Sequence, residues 1–166
     1  MSVIDRDMGY RDLLAAFATL ADEPYVTVGI HEDVGGYKAA DDGATVAEYA
    51  TYNEFGMGVP ERSFLRSTVD QEQDEIAARL TQAITDQIDG RRPMRQGLSR
   101  LGAYTVGRVK MTIRDLDTPP NAPATIAKKD SDNPLVDSAR MRSSVDFEVH
   151  GSEPAFGRIA ALLRGR

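Results

Sequence analysis

The chain predicts a single domain that mixes helices with strands. Two observations support this. Two long stretches carry apolar residues at helical spacing, Val69 to Ile88 and Leu98 to Ile113. Two short stretches far apart in sequence alternate apolar with polar residues, at 26–30 and 145–149. With 166 residues, one domain across 1–166 is the natural reading, long enough to bury a core. There is no internal repeat and no sign of a second-domain boundary.

Taken in order, Tyr10, Leu13, Leu14, Phe17 and Leu20 recur at helical spacing and predict an amphipathic first helix. After Pro24, the residues Val26, Val28 and Ile30 alternate with Thr27 and Gly29, as in a half-buried strand. The acidic, glycine-rich run HEDVGGYKAADDG at 31–43 reads as a loop or a wide hairpin end. Thr45 is placed to cap a short helix from Val46 to about Phe55, with Gly56 as its stop.

The segment 60–66 is expected to be extended, and Thr68 and Gln71 have capping-box spacing for the helix that follows. That helix carries the stripe Val69, Ile76, Leu80, Ala83, Ile84, Ile88 and closes at Gly90. After the basic turn Arg91-Arg92-Pro93, a second long helix at 94–114 shows Leu98, Leu101, Thr105, Val109 and Ile113 on one face. Gly97, Gly102 and Gly107 lie inside it. Each costs about 1 kcal/mol relative to Ala, which close approach of another backbone would offset.

A long proline- and asparagine-rich connection follows, with its loop at 118–134, a length usually functional or disordered. One helical turn at 137–141 and a strand with Val145, Phe147 and Val149 come next. Phe156, Ile159, Leu162 and Leu163 then suggest a short terminal helix ending in Arg164 and Arg166.

Composition narrows the function. Twenty Lys and Arg against 26 Asp and Glu give a net charge of −6, which disfavours a nucleic-acid clamp, because such affinity comes from neutralising phosphates. Without cysteine, disulfides, thiolate chemistry and cysteine-bound zinc are excluded. Acidic residues in MSVIDRDMGYRDLL argue against a secretory signal, and no apolar run approaches a membrane span. A cytosol-like compartment is expected unless a larger assembly carries the protein out.

Catalytic patterns are missing. His31 and His150 lack metal-binding spacing, so two polar strand-end residues are the expectation. Gly35-Gly36 and Gly56-Met57-Gly58 are too short for a phosphate loop, and Ser143-Ser144 lacks a nucleophile elbow. Glu48 and Glu54 share a short helix and could form a carboxylate pair, but an exposed helix face explains them more simply. No enzyme, cofactor or metal site is therefore expected.

Basic groups cluster at Arg91, Arg92 and Arg95, at Lys128 and Lys129, and at Arg140 and Arg142, as solvated surface charge on an acidic chain would. One set differs. Arg62 and Arg66 flank Phe64 and Leu65 beside Pro60, and arginine with aromatic side chains is the make-up of an interface anchor.

The stretch YNEFGMGVPERSFLRST at 52–68 closely resembles a segment of the tail-completion and neck proteins of long-tailed bacteriophages, a family also labelled virion morphogenesis or minor tail component. Two further blocks resemble it in the same order, RLGAYTVGRVKMTIRD and PPNAPATIAKKDSDNPLVDSARMRSSVDFEV, so that the resemblance spans roughly 25–149. The pattern departs at Ser138, Ala139 and Met141, where the family commonly has Thr-Gly and a Leu. An alanine disfavours the left-handed turn that glycine would allow.

The resemblance implies an α+β fold, a small antiparallel sheet packed against two long helices with additional short ones. It implies a structural virion protein at the head–tail junction, made in the host cytoplasm. Such a protein is a tail-completion, terminator or neck ring, typically homohexameric, joining the tail-tube protein to the connector or head-closure protein. DNA would pass through it without specific binding, and no membrane is involved. The alternatives are a phage accessory enzyme or a nucleic-acid-binding module.

For a ring, Glu54, Phe55, Arg62, Phe64 and Arg66 are expected at or beside a subunit interface, with Phe64 as ordinary core the competing view. Lys128 and Lys129 join that set if the loop at 118–134 is fixed by a neighbouring subunit. Asp33, Asp41 and Asp42 are candidates for lining a DNA channel, where a basic wall would hold phosphates. Equally, these acids would simply keep the subunit soluble.

Overall fold

A computed structural model describes residues 9–31, 36, 44–117, 119 and 140–151. In chain order the described elements are α1 (Tyr10–Ala21), β1 (Tyr25–Ile30), α2 (Val46–Phe55), α3 (Leu65–Gln71), α4 (Gln73–Ile88), α5 (Met94–Asp115), α6 (Arg140–Ser144) and β2 (Val145–His150). The fold is α+β. The two strands pair antiparallel, from Tyr25 opposite His150 to Ile30 opposite Val145. This register puts Val26, Val28 and Ile30 on one face with Val149, Phe147 and Val145, as strand alternation requires. That face packs on the helices.

The centre of the molecule is α5, which contacts both strands, α3, α4 and α6. Its expected stripe Leu98, Leu101, Thr105, Val109 and Ile113 is buried throughout. One core cluster joins Val106, Val109 and Ile113 to Val46, Ala50, Phe64, Met141 and Val145. A second joins Leu98 and Met94 to Ala83, with Leu20, Val26 and Val149 packed against it.

Close approach explains two of the three α5 glycines. A Cβ at Gly97 would lie 3.0 Å from the Cα of Ala83 on α4, and one at Gly102 would lie 2.5 Å from the Cγ of Phe147. Gly107 faces open space and has no such reason.

The caps of α2 are as expected. Thr45 and Glu48 form a reciprocal capping box, and Gly56 closes the helix with φ 69° and ψ 33°. Glu48 is exposed, and the hydrogen bond from the Thr45 backbone, then that from its hydroxyl, holds the Glu48 pKa below its ordinary value against a smaller opposing effect of burial.

Three expectations need correction. The segment 60–66 is not extended to its end, because α3 already begins at Leu65. Thr68 therefore lies inside α3 and caps nothing; its hydroxyl meets the Phe64 carbonyl at 2.6 Å and the Thr112 hydroxyl at 2.7 Å. The helix then breaks at Glu72 (φ −100°, ψ 10°) rather than running on. There the Glu72 carboxylate accepts from the Tyr104 hydroxyl and from Arg108 on α5.

The amphipathic helix α1 shows which way its apolar face points. The helix forms where expected, but it buries Ala16 and Thr19, while Tyr10, Leu14 and Phe17 are 66%, 48% and 52% exposed. Its large apolar side chains face outward.

Of the helical turn expected at 137–141, residues 137–139 lie outside the described residues, and Arg140 and Met141 belong to α6. The expected loops at 31–43 and 118–134 lie mostly outside the described residues, and the terminal helix at 156–163 wholly so. Among the described residues, no helix is long and apolar enough to cross a membrane.

The glycine packing predicts opposite outcomes at two positions. Gly102→Ala drives a methyl into the Phe147 ring and should destabilise the fold by about 1–3 kcal/mol. Gly107→Ala should stabilise it by up to about 1 kcal/mol. Urea unfolding of both variants tests this; equal effects would contradict the placement of α5 under the sheet.

Candidate functional site

The segment 52–68 folds into one hydrogen-bonded clamp organised by Glu54. The last turn of α2 carries Asn53 and Glu54 inward and Tyr52 and Phe55 outward. After the left-handed residue Gly56, the chain doubles back. The Arg62 amide donates to the Asn53 carbonyl at 2.7 Å, and Glu61 lies so close over Gly56 that a Cβ there would be 3.1 Å from its own Cβ.

Glu54 is 4% exposed. Its Oε2 accepts the backbone amides of Phe64 at 2.8 Å and Leu65 at 3.0 Å. Its Oε1 accepts the Ser63 hydroxyl at 2.8 Å, the Arg66 amide at 3.0 Å and Arg66 Nε at 3.1 Å. The amides are those that open α3, so the carboxylate caps that helix from a distance in sequence and sits at the positive end of its dipole. This is why α3 begins at Leu65.

Burial alone would raise the Glu54 pKa. The amides of Leu65 and Arg66, the Ser63 hydroxyl and the Phe64 amide together outweigh it and hold the pKa below its ordinary value.

Two arginines close the clamp on either side. Arg62 is 5% exposed, its Nη1 donating to Asn53 Oδ1 at 3.2 Å and its Nε to the Pro119 carbonyl at 2.9 Å. Burial lowers its pKa, partly offset by Tyr49. Arg66 is on the surface. Its Nη2 donates to the Glu54 carbonyl at 2.6 Å and to Glu61 Oε1 at 2.8 Å, and its guanidinium lies 4.8 Å from the centre of the Phe55 ring. Outside this frame stand Phe55 at 57%, Met57 at 56%, and Tyr52 and Val59 at 37% exposed each. Such an apolar cluster, rimmed by Glu61 and Arg66, has the composition of a docking surface.

The expected interface residues thus divide. Phe55 and Arg66 are exposed and available to a partner. The side chains of Glu54, Arg62 and Phe64 are not: Phe64 is fully buried in the core beside Val109 and Ile113, and the other two serve as internal hydrogen-bond hubs. The expectation that Glu54 lies on an exposed helix face is overturned, and with it the pairing with exposed Glu48. Met57 and Val59 are exposed as well, and their place between Gly56 and Pro60 marks an outward turn. Lys128, Lys129, Asp33, Asp41 and Asp42 lie outside the described residues.

The two histidines meet across the sheet. His31 Nε2 and His150 Nε2 each lie 3.0 Å from the Thr27 hydroxyl, and the His150 ring stacks on Tyr25. The antiparallel register causes this, since Thr27 faces Glu148 and Tyr25 faces His150. Among the described residues, no group of three His, Asp or Glu side chains is arranged to hold a metal ion.

The depressed Glu54 pKa gives a signed pH dependence. The stabilisation is fully present above the unfolded carboxyl value and is lost as pH falls through the lower folded value. Glu54→Gln should cost about 3 kcal/mol at neutral pH, since it removes the charge from several buried hydrogen bonds. It should also flatten the acid limb of the stability–pH curve. An unchanged acid limb, measured by denaturant titration between pH 7 and pH 3, would contradict this role.

Comparison with protein-family models, curated proteins and solved structures finds no match to this chain.

Proposed function

We propose that this chain is a structural virion protein of the head–tail junction of a long-tailed bacteriophage, a tail-completion, terminator or neck subunit that joins the tail tube to the connector. The observation that carries this reading is the clamp at 52–68. The segment that closely resembles such proteins is also one in which a single buried carboxylate accepts three backbone amides, and beside it stands an exposed apolar turn. A rigid, exposed turn suits an assembly protein, because little conformational entropy is lost when it docks.

In this reading the subunits form a ring, a homohexamer by the same resemblance. A closed ring needs two different, complementary surfaces on each subunit. The turn with Tyr52, Phe55, Met57 and Val59 supplies one of them, with Arg66 and Glu61 as its charged rim. DNA passes through the ring without specific binding, in keeping with the chain's net charge of −6. The virion is the final location, and the host cytoplasm the place of synthesis.

The double variant Phe55→Ala, Met57→Ala tests this. Both side chains are more than half exposed, so unfolding free energy should change by less than about 1 kcal/mol. A phage relying on this variant should yield separated heads and tails by electron microscopy, at least tenfold fewer joined particles than wild type. A normal yield of joined particles would refute the assignment of the turn.

A further inference from the structure

The chain holds two histidines and no cysteine, and the fold brings both histidines to one point. With Val26, Val28 and Ile30 turned toward the helices, Tyr25, Thr27 and Gly29 stand on the outer face of the sheet. Opposite them on that face are His150, Glu148 and Asp146 of β2. His150 reaches Thr27 from the end of β2, and His31 reaches back to it from the residue after β1. Their Nε2 atoms each lie 3.0 Å from the Thr27 hydroxyl oxygen.

A hydroxyl has a single proton to donate. Thr27 can therefore donate to one of the two Nε2 atoms, and the other ring must donate its own Nε2 proton to the hydroxyl oxygen. One imidazole alone would satisfy the hydroxyl proton. The second adds a nitrogen at the same point, and two imidazole nitrogens converging from opposite directions form the start of a chelate.

The surroundings favour a cation. The outward residues of the two strands include Glu148 and Asp146 and no Lys or Arg, and Glu148 Oε2 lies 3.6 Å from His150 Nε2. Stacking on Tyr25, with ring centroids 4.7 Å apart, holds the His150 ring in place. The two Nε2 atoms lie within about 6 Å of each other, and closing to about 4 Å lets one ion hold both at the usual zinc–nitrogen length. Rotation of the partly exposed His31 side chain supplies that movement.

We infer that His31 and His150 chelate a divalent late transition metal such as zinc through their Nε2 atoms, displacing the Thr27 hydroxyl as their common partner. Imidazole suits zinc, nickel and copper, whereas magnesium and calcium take oxygen ligands. Among the described residues no third His, Asp or Glu completes the set, so water fills the remaining positions. The ion ties the residue after β1 to the end of β2 across the outer face of the sheet. A two-stranded sheet is marginal by itself, and an ion that binds only the folded chain stabilises it. This site is independent of the head–tail reading.

With no other histidine and no cysteine in the chain, zinc binding through imidazole has only this pair to use. Calorimetric titration of zinc chloride into the full-length protein, free of any affinity tag, should give one site per chain. His31→Ala and His150→Ala, made singly, should each weaken binding at least about tenfold, as loss of one arm of a two-armed chelate does. Magnesium chloride should not bind there. The imidazole proton resonances of both histidines should shift together as zinc is added, and zinc should raise the urea midpoint of the unaltered protein but of neither variant. Circular dichroism checks that the variants fold, and either one alone decides the question. Unchanged zinc affinity in both variants would place the ion on carboxylates and overturn the inference. One zinc per two chains, or no binding at millimolar zinc, would overturn it as well.

Discussion

The buried carboxylate of Glu54 is the interaction on which the rest of the clamp depends. Removing a carboxylate from water costs several kcal/mol, and it is tolerated only where donors surround it. Here they do, through the Phe64, Leu65 and Arg66 amides, the Ser63 hydroxyl and Arg66 Nε. Because three of the donors are backbone amides, the carboxylate positions chain rather than merely side chains. It joins the end of α2 to the start of α3. One consequence is Phe64, delivered into the core. Another is the turn between the two helices, left with Phe55, Met57 and Val59 outside.

The clamp is useful only if α2 and α3 are themselves anchored, and α5 does this. Val106, Val109 and Ile113 meet Phe64 from α3's leading edge and Val46 and Ala50 from α2 in one cluster. The Thr68 to Thr112 hydroxyl contact and the reach of Tyr104 and Arg108 to Glu72 tie α3 and the start of α4 to the same helix. On another side of α5, Gly102 lets Phe147 lie against the backbone, while Gly97 admits Ala83. One helix therefore carries the sheet, the clamp and α4 at once, so displacement at one is felt at the others.

Much of this was legible in the chain. The strands at 25–30 and 145–150, the capped helix at 46–55 and the stripe from Leu98 to Ile113 all rest on local periodicity and local caps. What was not legible depended on distant contacts. Glu54 reads as a surface acid because its donors lie nine to twelve residues away and converge only after the turn at Gly56. Thr68 and Gln71 have the spacing of a cap, but the Glu54 carboxylate had already started the helix at Leu65. Periodicity in α1 showed that an apolar face exists and could not show which way it points. The meeting of His31 and His150 at Thr27 follows from strand register, which neither histidine's neighbours encode.

Amide hydrogen exchange followed residue by residue tests the central claim most directly. If Glu54 holds the start of α3, the Phe64, Leu65 and Arg66 amides should exchange only through global unfolding, as slowly as the Val109 amide in α5. In a Glu54→Ala variant these three should exchange orders of magnitude faster while Val109 keeps most of its protection. If the three amides exchange rapidly in the unaltered protein, or are equally protected with and without the carboxylate, then Glu54 is not the constraint that organises this site.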